Sequence, residues 1–437
     1  SCKKEPQAPS VQILNIADHD DHISIVVQVS EESGAITNQG VCWSESPNPS
    51  LSDNVTYDST ENTSFEINAQ GLSNSTAYYF RAFAINDVGV GYSEEATLST
   101  GLGNHKNAFI HSNGCLVCDG YSVGEEFTID NVVYQVVDRN TLIQAISDGL
   151  NYSNFCTSHI TDFSGLFRDK SVDFNIETWD VSKGLLFTEM FRNSTFDEDV
   201  SNWDMSGAIN MTRMFWDATA YNQPLNTWDV SSVIYFSGMF GNTVFNQPLN
   251  DWNTNSAITM DHMFVNFPSF NQDISSWNVG NVSNFKFMFR ECVSFNQDLN
   301  NWNTSSATNM NGMFSKASAF NQDLDSWNVS NVQDMGGIFW EATAFNGEIG
   351  TWDVSSTTDM SGLFGFTSFN KSISSWNTSA VVNMEAMFRN NSSFNQDISN
   401  WDVSSVQNMY RMFHMCTSFN QNITNWDVSS VTEMLGM

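Results

Sequence analysis

Hydrophobic and polar residues alternate in two rhythms along the second half of this chain. In residues 270–289, Trp277 and Val279 stand either side of Asn278, the alternation of a short strand with one buried face. Val282, Phe285, Met288 and Phe289 follow at three-, six- and seven-residue spacing, which predicts about two turns of helix with one apolar face. A polar stretch from Phe295 to Leu299, rich in Asn, Gln and Asp, predicts the turn back.

The same order returns with a tryptophan every 24 or 25 residues, at Trp179, Trp203, Trp228, Trp252, Trp277, Trp302, Trp327, Trp352, Trp376, Trp401 and Trp426. A unit this short cannot bury its own core, so the copies must stack. Residues 162–437 are therefore expected to form about eleven coils of a right-handed α/β solenoid with a parallel sheet along one side. The Asn that follows an aromatic residue, nearly always Phe, in most copies, from Asn175 and Asn222 to Asn420, is expected to form a structural amide ladder. The last copy stops at Met434–Met437, ahead of its phenylalanine, which predicts further chain or a covering partner at that end.

Upstream the rhythm changes. Residues 9–100 hold short alternating runs, Ile23–Val29, Phe65–Ile67 and Tyr78–Ala84, at the spacing of an all-β sandwich. Residues 101–161 carry two β-like runs and a helix-like stretch from Asn140 to Gly149, placed where a stack of coils needs an N-terminal cap. Residues 1–8 are polar and read as a tether.

WDVSSV at Trp228–Val233 and SFNQDISSW at Ser269–Trp277 resemble the BspA-like leucine-rich-repeat surface proteins of bacteria, over about Asp162–Met437. The resemblance implies a leucine-rich-repeat-like solenoid shown at a cell surface for adhesion or protein contact, with a similar cap and no catalysis. Leu72, Thr76, Tyr78, Phe80 and the NDVGVGYS segment resemble fibronectin type III domains, which implies a tyrosine corner at Tyr78 and a spacer role. Gly40-Val41-Cys42-Trp43-Ser44 resembles the third-strand core of the versions in Bacteroidetes lipoproteins. Ser1-Cys2-Lys3-Lys4 resembles a processed lipoprotein start, with Cys2 carrying the lipid. That implies an outer-membrane lipid anchor with the chain facing the cell exterior, so that the membrane is touched only through the lipid.

Charge narrows the partners. Sixteen basic residues against 49 acidic ones give a formal net charge of -33, which disfavours nucleic acid and anionic membrane surfaces. No run of 18 apolar residues exists to cross a bilayer as a helix.

Candidate chemistry is sparse. Cys115, Cys118 and Cys156 lack the second ligand pair of a zinc site; a disulfide fits a secreted cap better, Cys118–Cys156 first and Cys115–Cys118 second. Cys292 and Cys416 fill one slot in different copies and read as small core residues. Asp18-His19-Asp20-Asp21-His22 offers several metal ligands in what should be a loop. Asp180, Asp204 and Asp229 each follow the repeat tryptophan and should stack coil on coil; either they cap backbone amides or calcium relieves their repulsion. No copy departs from the others as an active site would, so no enzyme and no required cofactor are expected.

The aromatic residues that break the repeat, Trp216, Tyr221, Tyr235, Trp340 and Tyr410, are the candidate contact anchors. Three functions follow in order: protein binding at the cell surface, a structural subunit of an outer-membrane complex, and glycan binding.

Overall fold

The computed structural model describes residues 7–18, 22–30, 35–58, 60, 62–73, 76–100 and 107–437. Cys2 and most of the Asp18–His22 segment lie outside them. The chain divides into two compact units, Ser1–Asp138 with Asn154–His159, and Arg139–Ser153 with Ile160–Met437.

In the first unit, β1 (Val11–Asp18), β2 (Ile23–Val29) and β5 (Ser64–Ala69) form an antiparallel sheet in the order β1-β2-β5. A second antiparallel sheet runs β4 (Asn54–Tyr57), β3 (Asn38–Ser44), β6 (Ala77–Ile85) and β7 (Val90–Tyr92), with β8 (Ala96–Ser99) also on β6. The alternating apolar residues of both sheets, among them Ile25, Val27, Val41, Trp43, Ile67 and Phe80, share one core. The Tyr78 hydroxyl accepts the Ser73 N–H at 3.0 Å and donates to Glu45 at 3.2 Å, so a buried ring keeps its polar tip satisfied.

The rest of the unit is a hairpin of β9 (Asn107–Ile110) and β10 (Leu116–Asp119), and a three-stranded sheet of β11 (Glu126–Ile129), β12 (Val132–Val136) and β13 (Phe155–Cys156). A Cys118–Cys156 disulfide joins β10 to β13. Cys115 is buried outside that bond.

The second unit corrects the expected architecture. A single helix, α1 (Arg139–Ser147), is present among the described residues, and it belongs to this unit rather than to the strands of residues 101–138. The coils contain no helix, so the right-handed α/β solenoid is not what the chain forms; its named sheets are mainly antiparallel. Parallel pairing among the coils is reduced to one bridging residue each, from Asp162↔Leu186 through Asn284↔Asn309 to Asn408↔Glu433. The bridge also sits elsewhere than expected: Trp277–Val279 is unpaired, and Asn284 carries it.

The supposed helix is two consecutive turns. Met263 donates to Met260 at 3.3 Å and Val265 to His262 at 3.1 Å, closing the turns, while His262 (φ 57°) and Asn266 (φ 52°) take the left-handed conformation. The N–H groups between them leave the coil: Met260, His262, Phe264 and Asn266 donate to Asn284, Lys286, Met288 and Arg290 of the next coil at 2.7–3.1 Å. Turns of this length repeat apolar positions every three to four residues, which mimics helical spacing. The hydrogen bonds that would have made a helix instead tie coil to coil.

The core is a set of aromatic columns. The phenylalanines ending each turn pair stack on their counterparts, as in Phe289–Phe314 at 5.4 Å and Phe314–Phe339 at 5.9 Å. The Phe ahead of each Asn packs on them within its coil, Phe314–Phe320 at 4.0 Å. The tryptophans stack as Trp302–Trp327 and Trp327–Trp352, both at 6.4 Å. Each repeat-position indole N–H from Trp228 to Trp426 donates to a carbonyl of the preceding coil, for example Trp327 Nε1 to Leu299 at 2.8 Å. At the start of the stack Tyr152 takes the place of the missing coil, giving Trp179 a ring contact at 5.9 Å and a carbonyl acceptor at 3.3 Å. Trp203 is the exception, its buried Nε1 having no protein acceptor.

Candidate functional site

Most polar repeat positions are spent on holding the stack. Asn321 donates its N–H to Asn296 Oδ1 at 2.9 Å, and Gln322 Nε2 reaches the same oxygen at 3.0 Å. Equivalent bonds run from Asn246 on Asn222 to Asn420 on Asn395, so the amides form a structural ladder.

The carboxylates after the tryptophans behave in the same way. Asp180, Asp204 and Asp229 each accept the N–H two residues ahead, from Ser182, Ser206 and Ser231 at 2.9–3.0 Å. The Ser231 hydroxyl and N–H hold the Asp229 carboxyl below its usual range. Among the described residues no group of three His, Cys, Asp or Glu side chains is placed to hold a metal ion. The thiols of Cys42 and Cys416 are pushed up to about 11 by burial, which removes them as nucleophiles at neutral pH. Cys292, fully buried, is raised further still.

What remains is the ribbon formed by the paired turns. Of the eleven Lys and Arg residues in 162–437, nine lie within eight residues after a bridging position; Lys183 and Lys371 are the others. Eleven carboxylates share that ribbon, whereas elsewhere in the coils eighteen stand against those two lysines. One face of an acidic stack is thus close to neutral and rich in cations. Part of it is internally paired: Arg168 and Arg192 reach Glu189 at 2.9 Å and Arg213 at 3.6 Å, linking three coils. Burial acts to raise the Glu189 carboxyl, but the hydrogen bonds and charges of Arg168 and Arg192 bring it below its usual range.

Four of the five candidate aromatic anchors fall on this ribbon. Tyr235 occupies a bridging position and is 41% exposed. Trp216 and Tyr410 are half-buried, with the Arg213 guanidinium 5.4 Å over Trp216 and the Arg411 guanidinium 4.9 Å over Tyr410. Trp340 is half-buried and lays its benzo edge on Gly362 and Gly365, where any Cβ would come within 2.4–2.7 Å of the ring. Tyr221 is the correction: it is fully buried in a Phe slot, stacked 4.1 Å from Phe215, and cannot be a contact residue.

Trp340 also borders an open depression of the ribbon, about 390 Å³ in volume, that includes Phe287, Arg290, Gly312, Gly337, Glu385 and Arg389 in its lining. These partners were not singled out from the sequence. The signal that marks them is glycine at one turn slot in three successive copies, Gly312, Gly337 and Gly362, where other copies carry His262, Phe287 or Arg411.

These features define a tandem-repeat protein built from helix-free, hydrogen-bonded coils, with its unspent polar and aromatic groups gathered on one ribbon. The chain belongs to the family described as Mycoplasma protein of unknown function, DUF285, whose model matches residues 138–244, 235–350, 276–370 and 333–437. No curated protein and no solved structure matches it. No helix among the described residues is long and apolar enough to cross a membrane.

Proposed function

We propose that this chain is a non-catalytic, BspA-like surface lipoprotein, held through Cys2 at a bacterial outer membrane, that binds another protein through its coils. The observation carrying this reading is the concentration of cations and repeat-breaking aromatics on the turn ribbon, while elsewhere in the coils polar groups are largely committed to the stack itself. Aromatic and arginine side chains are the residue types that dominate contact energetics. The repeat architecture supports a binding role, because successive copies spend the same positions on stacking and present a continuous ribbon of side chains.

The test is cross-linking followed by pull-down from intact cells, comparing the native chain with an Arg213→Glu, Lys316→Glu, Arg411→Glu variant. A protein captured by the native chain and lost from the variant supports the reading. Equal capture by both removes the ribbon as the contact surface, and a partner embedded stoichiometrically in the outer membrane makes the chain a subunit of an assembly instead.

A further inference from the structure

The cavity beside Trp340 has a construction found at no other point of the ribbon. In the turn slot with φ near 60°, three successive coils carry glycine, Gly312, Gly337 and Gly362, between Phe287 on one side and Ala386 on the other. The Phe287 ring covers Gly312 and the Trp340 ring covers Gly362, where a Cβ would come within 2.2–2.7 Å of them, so a trough is left open over Gly337 between the two rings. With adjacent paired segments about 4.8 Å apart, the two coil steps from Gly312 to Gly362 make the opening roughly 10 Å across. Phe287 and Trp340 form aromatic walls, and Arg290, Ser315, Ser361, Glu385 and Arg389 stand at the rim.

The floor is chemically closed. Gly312, Gly337 and Gly362 donate their N–H groups to Gly336, Ser361 and Glu385 of the following coil at 2.6–2.8 Å, and their carbonyls accept the N–H of Ser315, Trp340 and Gly365 at 3.0 Å. An extended peptide laid here finds no backbone to pair with, so strand addition is excluded. A ligand must bring an apolar face to the glycines and rings, and direct its polar groups sideways to the rim. Sugar rings do this, since their C–H faces suit the electron-rich faces of aromatic rings and their hydroxyls project around the edge.

The rim chooses among sugars. Arg389 makes no ion pair among the described residues and lies 5.6 Å over Phe366. Its Nε is buried with no acceptor, a state shared by Arg192 in the same turn slot, so it is the unpaired charge of the guanidinium rather than that atom that a ligand can meet. Glu385 is engaged by Asn408 at 3.0 Å, and Arg290 is partly balanced by Glu291 at 3.5 Å. The group that would balance Arg389 is a carboxylate, which a guanidinium binds with two parallel hydrogen bonds. We propose that the trough binds a short oligosaccharide carrying a carboxylate, with sugar rings against Trp340 and Phe287 and the carboxylate on Arg389. This assignment does not depend on the protein-contact reading.

The test is an array of uronic- and sialic-acid oligosaccharides with their neutral counterparts and acidic hexapeptides, followed by calorimetry of the best binder with the whole chain. Two variants probe the site. Gly337→Asn fills the trough, and it keeps the fold because Asn tolerates positive φ and its Cβ would stand 3.5 Å from the nearest atom, Trp340 Cβ. Arg389→Gln removes the charge; unchanged near-ultraviolet circular dichroism verifies both. The expected result is binding of an acidic oligosaccharide that weakens about tenfold or more in each variant, with the preference over the neutral sugar lost in Arg389→Gln. No saccharide bound, a bound saccharide indifferent to Gly337→Asn, or hexapeptide binding at the trough each overturns the proposal.

Discussion

Trp327 donates an indole hydrogen bond and stacks between Trp302 and Trp352, whereas Trp203 has neither, and that difference makes the coil-to-coil linkage measurable. Both indoles are 2–3% exposed in the same repeat slot. Trp327 donates to the Leu299 carbonyl at 2.8 Å, whereas Trp203 Nε1 is buried with no protein acceptor. Phenylalanine in either place removes the same pyrrole volume, costing about 1–2 kcal/mol in lost packing. At Trp327 the change also breaks a hydrogen bond, about 1 kcal/mol more, since Leu299 keeps the Trp302 N–H at 3.0 Å as a second partner. At Trp203 it relieves an unsatisfied donor, which offsets about 1–2 kcal/mol of the packing loss. Trp327→Phe should therefore lie about 2–3 kcal/mol below Trp203→Phe, or roughly 2–4 °C in Tm per kcal/mol for a unit of this size. Calorimetric melts at one scan rate read it directly. Equal losses in the two variants would mean that the indole ladder does not bind the coils together.

Three further outcomes follow from the same geometry. Asn296→Ala removes the acceptor used by Asn321 and Gln322 and should cost about 0.5–1 kcal/mol at this exposed site. Asn296→Asp should cost less in the same denaturant titration, because Asp197 already serves Asn222 and Gln223 in that slot. Gly365→Ala places a Cβ 2.4 Å from the Trp340 ring and should destabilise by about 1–3 kcal/mol; in a Trp340→Ala background it should be neutral or stabilising, as a double-mutant cycle will show. Glu189 has a lowered carboxyl, so its contribution is present above the ordinary glutamate range and is lost as pH falls through the lowered value. Glu189→Gln should therefore lose stability at pH 7 and converge on the native chain in urea melts only once pH falls below the lowered Glu189 value.

The repeat period, the buried Trp and Phe columns and the Asn ladder could be read from the sequence because each depends on side-chain identity at a fixed spacing. The secondary structure of the coils could not, because apolar spacing of three, six and seven is shared by a helix and by two stacked four-residue turns. A second signal was present. Gly238 and Gly312 sit inside the supposed helix and Asn242, Asn266 and Asn390 two residues beyond its last phenylalanine, and these poor helix formers occupy the left-handed slots. Glu291 and Lys316 in the same conformation show why the signal is weak: the coil-to-coil bonds impose positive φ on residues that do not choose it. Tyr221 was misread for a related reason, since a Tyr standing in a Phe column follows the column into the core even though its hydroxyl is left without a partner there. The trough was hidden because it is made of absent side chains, visible only once three coils are in register.

Far-ultraviolet circular dichroism of the whole chain tests the central claim, that the coils are held by bonds between copies and contain no helices. The account predicts a helical signal no larger than the nine residues of Arg139–Ser147 supply. Two turns of helix in each of eleven coils would make roughly a sixth of the chain helical, and a spectrum with that content would contradict it.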